Sequence, residues 1–344
     1  MTKRRSAFGV WLVGALIAAY CSAALAQTPT RLRFTLDWRF EGQLAMFMMA
    51  KNKGYYQQEG LDVQVDSGAG SGAAITRIAS GSHDVGTGDM TALIEYLSNN
   101  PGPTRLQAVY LIYSESPFMV HALKKSGIVK PQDLAGKSIG APVFDSARKS
   151  FPIFAKQVGI DPKSISWQNV DPALRETMVA RGDLAAAAGF ELNRLVLMAR
   201  GVKEEDIVMF RYADYGVKLY GNAIMASKRL IDENPKALAA FVRASNRALI
   251  DTIADPAEAI KYNKQFDPLI EESRELAKLK ITLRSIDTPF ARSSGLGAIS
   301  KLELENQVDE VTVAFGLKSK PNADLIFNSD FLPPRQERLP RTQQ

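Results

Sequence analysis

The feature that most constrains the fold is an alternation of strands and helices that runs from residue 32 to residue 112 and then starts again from Pro117. Residues 32–36 and 61–65 alternate apolar and polar, the period-two pattern of a half-buried strand. Between them residues 45–52 are apolar and rich in helix formers, with Gly54 behind them as a C-terminal stop. A glycine-serine loop at 67–72 leads into a helix predicted over 73–80. A short strand follows at 84–86, then a helix over 91–98 stopped by Pro101 and Pro103. Residues 106–112 are apolar throughout, the mark of a strand buried on both faces. From Pro117 the cycle repeats on a smaller scale, with strands at 117–123, 138–141, 165–170, 184–188 and 207–211 and helices at 147–158, 172–180 and 192–200. One more strand is expected at 219–226. Beyond Lys228 the chain turns helical, over 234–253, 256–265, 270–283 and 301–315. This order predicts an α/β fold with parallel strands, its sheets flanked by helices. The two blocks are alike in kind without forming a convincing internal repeat.

Ahead of the first strand stands a basic head, Lys3, Arg4 and Arg5, then an apolar run at 7–19 broken only by Gly9 and Gly14, then Ala24-Leu25-Ala26. That is the layout of a secretory signal peptide. The run is shorter than the ~20 residues a spanning helix needs, which argues against an uncleaved anchor. A lipid anchor would use Cys21, but Tyr20 precedes it where a lipoprotein signal wants a small residue. Cleavage after Ala26 is expected, with a mature chain starting at Gln27 in the periplasm. That cut removes the only cysteine, so the exported protein has no disulfide and must rely on its core. The 318 remaining residues of 344 suggest about two domains. The formal charge of +6 falls to +3 once the three basic residues of the signal are gone. No cluster of lysines and arginines is interleaved with aromatics, so a nucleic-acid partner is not implied. No second long apolar run exists, and a soluble monomer is expected. The tail from Pro333 to Gln344, rich in Pro, Arg and Gln, reads as disordered.

Four stretches, in order behind the signal, carry a family resemblance. They are Leu36-Asp37-Trp38, the run from Lys53-Gly54-Tyr55-Tyr56 to Gly60-Leu61-Asp62-Val63, Ile78-Ala79-Ser80-Gly81-Ser82-His83-Asp84-Val85-Gly86, and Pro131-Gln132-Asp133-Leu134-Ala135-Gly136-Lys137-Ser138-Ile139-Gly140. Over nearly the whole mature chain the sequence resembles the NMT1/THI5-like (SsuA/TauA-related) family of type II periplasmic substrate-binding proteins. The resemblance implies two α/β lobes with a ligand cleft between them. Lobe one would hold residues 27–122 plus 217–344 and lobe two 123–216, with crossovers near 121–124 and 214–219. It implies delivery of a small molecule to the permease of an ABC transporter, with no cofactor and no enzymatic chemistry. Family ligands include thiamine pyrimidine precursors and related heteroaromatics, and sulfonates or other small anions. The fungal THI5 pyrimidine synthases of the family carry a lysine and histidine after the third strand and a cysteine-rich run on the returning strand. Here residues 86–93 have neither, and residues 219–225 have no cysteine. A solute sensor for a membrane receptor is the remaining class.

In open α/β sheets ligands bind beyond the carboxyl ends of the strands. Those positions are Asp37, Trp38 and Gln43 after the first strand, Ser67, Gly70 and Ser71 in the loop after the second, and Asp89 and Met90 after the third. In the second block they are Phe144, Asp145 and Ser146, then Phe190 and Glu191. Tyr220 and Asn222 lie on the returning strand. The Ser67 to Gly72 loop reads either as an anion site at a helix N-terminus or as a turn with a capping serine. It is not a Walker loop, since no lysine follows its last glycine. Trp38 offers a flat face for a heteroaromatic ring or a cation; the alternative is a core tryptophan, and the family motif favours the cleft. Asp145 reads as a helix N-cap or a ligand contact, and Glu191 as first-turn charge or a ligand contact. These carboxylates lean toward a neutral or cationic heteroaromatic, with Arg39, Lys149 and Arg175 as the cations that could reach in. His83 and His121, the only histidines, lack a partner at metal-ligand spacing. No G-x-S-x-G and no catalytic cysteine is present, so no catalytic or metal residue is expected.

Overall fold

A computed structural model describes residues 28–143 and 145–341; the expected signal peptide and Phe144 lie outside the described residues. Along the chain the elements are β1 Thr30–Thr35, α1 Ala45–Asn52, α2 Tyr55–Gln58, β2 Leu61–Asp66, α3 Ser71–Ala79, β3 Val85–Asp89, α4 Met90–Asn99 and β4 Leu106–Leu111. Then come β5 Phe118–Leu123, β6 Ser138–Gly140, α5 Ser146–Val158, β7 Ser166–Gln168, α6 Arg175–Arg181, β8 Ala186–Phe190, α7 Asn193–Ala199, β9 Ile207–Arg211 and β10 Asn222–Ser227. The C-terminal helices are α8 Lys228–Glu233, α9 Pro235–Ala254, α10 Pro256–Asn263, α11 Glu272–Ile286, α12 Pro289–Ser294 and α13 Lys301–Ala314.

These strands form two five-stranded mixed sheets, in the orders β2-β1-β3-β10-β4 and β7-β6-β8-β5-β9. In the first sheet β1 runs parallel to β2 and β3, and β10 inserts antiparallel between β3 and β4. In the second, β6 is parallel to β7 and β8, and β5 inserts antiparallel between β8 and β9. The α/β class expected from the alternation is what forms. Alternation in β1 turns Leu32 and Phe34 into the core, where Phe34 meets Phe47 and Phe241 edge-on at 4.9 and 5.1 Å. Tyr56 stacks on Phe241 at 5.0 Å, so α1, α2 and α9 close over one face of the first sheet. In the second lobe Phe154 stacks on Tyr212 at 4.6 Å. Helix α13 packs on both α4 and α5, and its Leu304, Val308 and Val311 join a core drawn from both lobes.

Two boundaries differ from expectation. The chain leaves the first sheet at Leu111 and enters the second at Phe118, so the outgoing connector is 112–117. The strand expected at 117–123 forms, but in the second sheet. His121, expected at the crossover, sits inside β5 opposite Ala187 and Met209. Two apolar runs separated by a short polar segment do not say in composition which sheet the second one joins. The returning connector is 212–221, and the expected strand at 219–226 begins only at Asn222. The connectors pair with each other, the Ser116 amide donating to Leu219 O at 2.8 Å and the Gly221 amide to Tyr113 O at 3.0 Å.

The tail is the second correction. Residues 333–341 pack on the first lobe instead of hanging free. Arg338 is 7 % exposed and donates to the carbonyls of Pro333 and Leu296 at 2.7 and 2.6 Å. Composition read the arginines and prolines as solvent-loving, but a guanidinium can be buried where carbonyls satisfy its donors.

Candidate functional site

Strand direction decides which residues meet. Strands β1, β3 and β4 point the same way, so their carboxyl ends share one edge of the first sheet with the amino end of antiparallel β10. Asp37, Asp89, Tyr113 and Asn222 stand at that edge. Asp37 accepts from Thr87 Oγ1 and Asn222 Nδ2, both at 2.6 Å, and from Ser71 Oγ at 3.4 Å. Its own amide donates to Thr87 Oγ1 at 2.8 Å. Asp89 is the N-cap of α4, its Oδ1 accepting from the Thr91 hydroxyl and, at 2.9 and 3.3 Å, from the amides of Thr91 and Ala92. Its Oδ2 makes no hydrogen bond among the described residues. Both carboxylates are buried, and neither has a lysine or arginine within ion-pair distance among the described residues. Burial pushes the Asp37 carboxyl upward, against the pull of its hydrogen-bond donors. Burial, with the neighbouring Asp37 charge adding to it, pushes Asp89 up to about 6. Burial and then the Asp37 charge raise the Tyr113 phenol.

The loop after β2 is committed differently from an anion cradle. The amides of Gly68 and Gly70 donate back to Trp38 O and Asp37 O at 2.9 and 2.7 Å, and Ser67 O accepts from Arg77 at 2.9 Å. Gly68 presses so tightly on Leu36 O that any Cβ there would collide with backbone. With the Asp37 carboxylate beside Ser71, the positive end of α3 already faces a negative charge. Trp38 is partly buried against the first-lobe core, and the Arg39 guanidinium lies over its ring at 5.5 Å. Gln43 is buried, with no partner for its Oε1.

In the second lobe Asp145 caps α5, accepting from the Arg148 amide at 3.1 Å, and also meets Arg175 Nη1 at 3.3 Å. Arg175, itself buried, donates to Glu176 at 2.7 Å and to Ala188 O at 3.0 Å. Gly189 makes room for that guanidinium, since a Cβ there would come within 3.0 Å of it. Burial raises the Asp145 carboxyl and Arg175 pulls it back. Ser146 opens α5 next to it, and Phe190 ends β8 edge-on to Phe118 at 5.5 Å. Glu191 is held by Arg284 at 3.0 Å and Arg211 at 3.2 Å.

Two of the expected positions are committed to the fold. Met90 is fully buried in the core. The Tyr220 hydroxyl accepts the Ser300 amide at 2.9 Å, while Gln307 bonds both its backbone amide and carbonyl. Phe144 lies outside the described residues. The cations near in sequence are also spoken for: Arg39 pairs with Glu41 and Lys149 with Glu95. Thr87, Tyr113, Arg211 and Arg284 were missed. The strand-end rule, carried on to β4 and β9, finds Tyr113 and Arg211; Thr87 lies two residues before Asp89 on the same face of β3. Arg284 arrives from a helix far along the chain and leaves no local signal. Among the described residues no group of three or more His, Cys, Asp or Glu could hold a metal ion, and no helix is long and apolar enough to cross a membrane.

Known proteins give the arrangement a lineage. Residues 41–259 match the family model described as NMT1/THI5 like. The chain is 27% identical over 300 residues to the riboflavin-binding protein RibY of Chloroflexus aurantiacus, covering 85% of this chain and 83% of that one. It is 26% identical over 310 residues to the formylaminopyrimidine-binding protein of Halalkalibacterium halodurans, covering 87% and 91%. The 4-amino-5-hydroxymethyl-2-methylpyrimidine phosphate synthase of Schizosaccharomyces pombe matches at 23% over 67% of this chain and 68% of its own. The periplasmic aliphatic sulphonate-binding protein SsuA of Escherichia coli superposes with a TM-score of 0.71 over 92% of this chain and 98% of its own, at 13% identity, which establishes the shared periplasmic-binding-protein fold. The chain belongs to the NMT1/THI5-like family.

Proposed function

We propose that this protein is an extracytoplasmic solute-binding protein that takes a nitrogen heteroaromatic bearing N–H donors, of the aminopyrimidine class, and hands it to a membrane importer. The observation that carries the reading is the pair of buried carboxylates, Asp37 and Asp89, at adjacent strand ends without a cation. Buried carboxylates need a donor partner, and an amino group or protonated ring nitrogen supplies one. Asp89 Oδ2 extends the same edge, Tyr113 follows the end of β4 beside it, and Trp38 offers a ring to stack on. Arg175 and Arg211 in the second lobe and Arg284 in the first are each paired with carboxylates, so none of these three is a free counter-ion for a sulfonate. The names of two relatives, a riboflavin-binding and a formylaminopyrimidine-binding protein, point to the same ligand chemistry. The reading is of binding without catalysis: the segment after β3 carries no amine for a Schiff base, and the returning strand no cysteine.

The test is a thermal-shift and calorimetry panel of 4-amino-5-hydroxymethyl-2-methylpyrimidine, its formylaminopyrimidine relatives, riboflavin, alkanesulfonates and dicarboxylates. A true ligand at 100 times its Kd should stabilise the fold by about 2.7 kcal/mol. Heteroaromatics should lead, and Trp38→Ala should abolish most of their shift with the unliganded melt nearly unchanged. A shift with sulfonates alone would overturn the reading.

A further inference from the structure

Charge joins the two lobes as well as chain. Glu191, at the carboxyl end of β8 in the second lobe, is 3 % exposed. Its Oε1 accepts from Arg284 of α11, in the first lobe, at 3.0 Å. Its Oε2 lies 3.2 Å from Arg211 of β9. Arg211 also reaches Glu115 in the outgoing connector at 3.7 Å and Asp214 in the returning one at 3.3 Å. Both lobes and both connectors therefore meet at one carboxylate–guanidinium hub. Beside α13 a second bridge crosses: Lys149 of α5 donates to both oxygens of Glu95 in α4, at 2.7 and 2.8 Å. Both bridges run between the lobes, with Glu191 and Lys149 on the second and Arg284 and Glu95 on the first.

We propose that Glu191–Arg284 and Glu95–Lys149 form a charge latch that holds the lobes shut, so that Glu191 acts on ligand retention through lobe closure and not by touching ligand. The latch biases a two-state equilibrium that the ligand biases too. Its partners are partly exposed, with Arg284 at 59% and Lys149 at 28% side-chain exposure, so salt should weaken it.

The latch is tested without any ligand. The expected mature chain has no cysteine, so Val129→Cys on the second lobe and Leu269→Cys on the first, both exposed, give a single pair of spin-label sites. Pulsed electron-spin distances should lengthen in Arg284→Gln combined with Lys149→Gln. The open population should rise roughly threefold to tenfold, the range that losing such pairs allows. Raising salt in the unsubstituted protein should move the distances the same way. Arg284→Lys should retain the short distance in part, and the charge exchange Glu95→Lys with Lys149→Glu should recover it. Unchanged distances in the double variant and across the salt series would overturn the latch. So would a longer distance that the charge exchange fails to shorten, because that marks lost packing at α13. Since no ligand is added, failure here is separate from failure of the ligand assignment.

Discussion

Asn222 donates its side-chain amide to Asp37 Oδ2 at 2.6 Å, tying the start of β10 to the end of β1 across the intervening β3. The bond fixes one lone pair of a buried carboxylate while Thr87 fixes another. Asp37→Asn removes the charge that a ligand N–H would meet. Affinity for an aminopyrimidine should fall roughly 10- to 100-fold, the range of a charged hydrogen bond. Asn222→Leu instead strands the carboxylate, and the fold should lose about 1–3 kcal/mol in urea titration. If Asp37→Asn binds normally, the carboxylate belongs to the scaffold alone.

Asp89 gives the fold a pH dependence of unusual sign. Its folded value of about 6 lies above the ordinary aspartate value of 3.8, so between them the native state holds a proton that the unfolded chain has released. Stability from this group is full below pH ~4 and declines as pH rises through ~6, by up to about 3 kcal/mol. Asp89→Asn keeps a side-chain oxygen to cap α4 and should remove that decline. The check is urea unfolding of both proteins at steps from pH 4 to 7. A parallel pair of curves would contradict the assignment.

His121 works in the opposite direction. It is fully buried in β5 with neither ring nitrogen hydrogen-bonded, Glu176 lying 3.8 Å away. Burial, helped by the Arg175 charge, lowers it to about 3. The native ring stays neutral while the unfolded ring takes a proton below pH ~6.5, so stability is full above that pH and falls as pH drops toward 3. Over pH 4–6 it therefore offsets Asp89. His121→Leu should flatten the acid limb and leave the Asp89 slope exposed, so that this variant gains stability from pH 6 down to 4. Continued acid loss of the usual steepness would count against a neutral buried imidazole.

Much of this was legible. Alternation in β1 and β2 and the apolar run of β4 gave the elements, and the strand-end rule gave the positions of Asp37, Asp89, Asp145 and Glu191 in the fold, though not their roles. The rule failed where partners come from afar. Nothing near Glu191 in sequence announces Arg284, and nothing near Asp145 shows that Gly189 opens space for Arg175. Met90 misled because the residue after a strand-end cap is the first turn of the next helix, and that turn faces inward. His121 misled in placement, since an apolar strand reads the same in either sheet. Tyr113 was missed only because β4 was read for its core and not for its end.

The C-terminal segment gives the last prediction. Arg338 donates to Leu296 O, Pro333 O and, at 3.4 Å, Ser294 O, while its own carbonyl accepts the Leu296 amide at 2.8 Å. Asn246 of α9 donates to Glu337 O at 2.8 Å from its side-chain amide and accepts from Tyr110 through its other atom. Gly295 and Gly297 both have positive φ and lie against Arg338 and the Tyr110 ring, where a Cβ would crowd them. Removing residues 333–344 takes the partners from Leu296 and Asn246 and opens the Tyr110 side of the core. Each stranded buried group costs about 1–3 kcal/mol, so Tm should fall by roughly 5–10 °C. Arg338→Gln should reproduce part of that loss, since one amide cannot reach three carbonyls. A truncation at 333 that melts like the full chain would show that the segment adds nothing to the fold, as its composition first suggested.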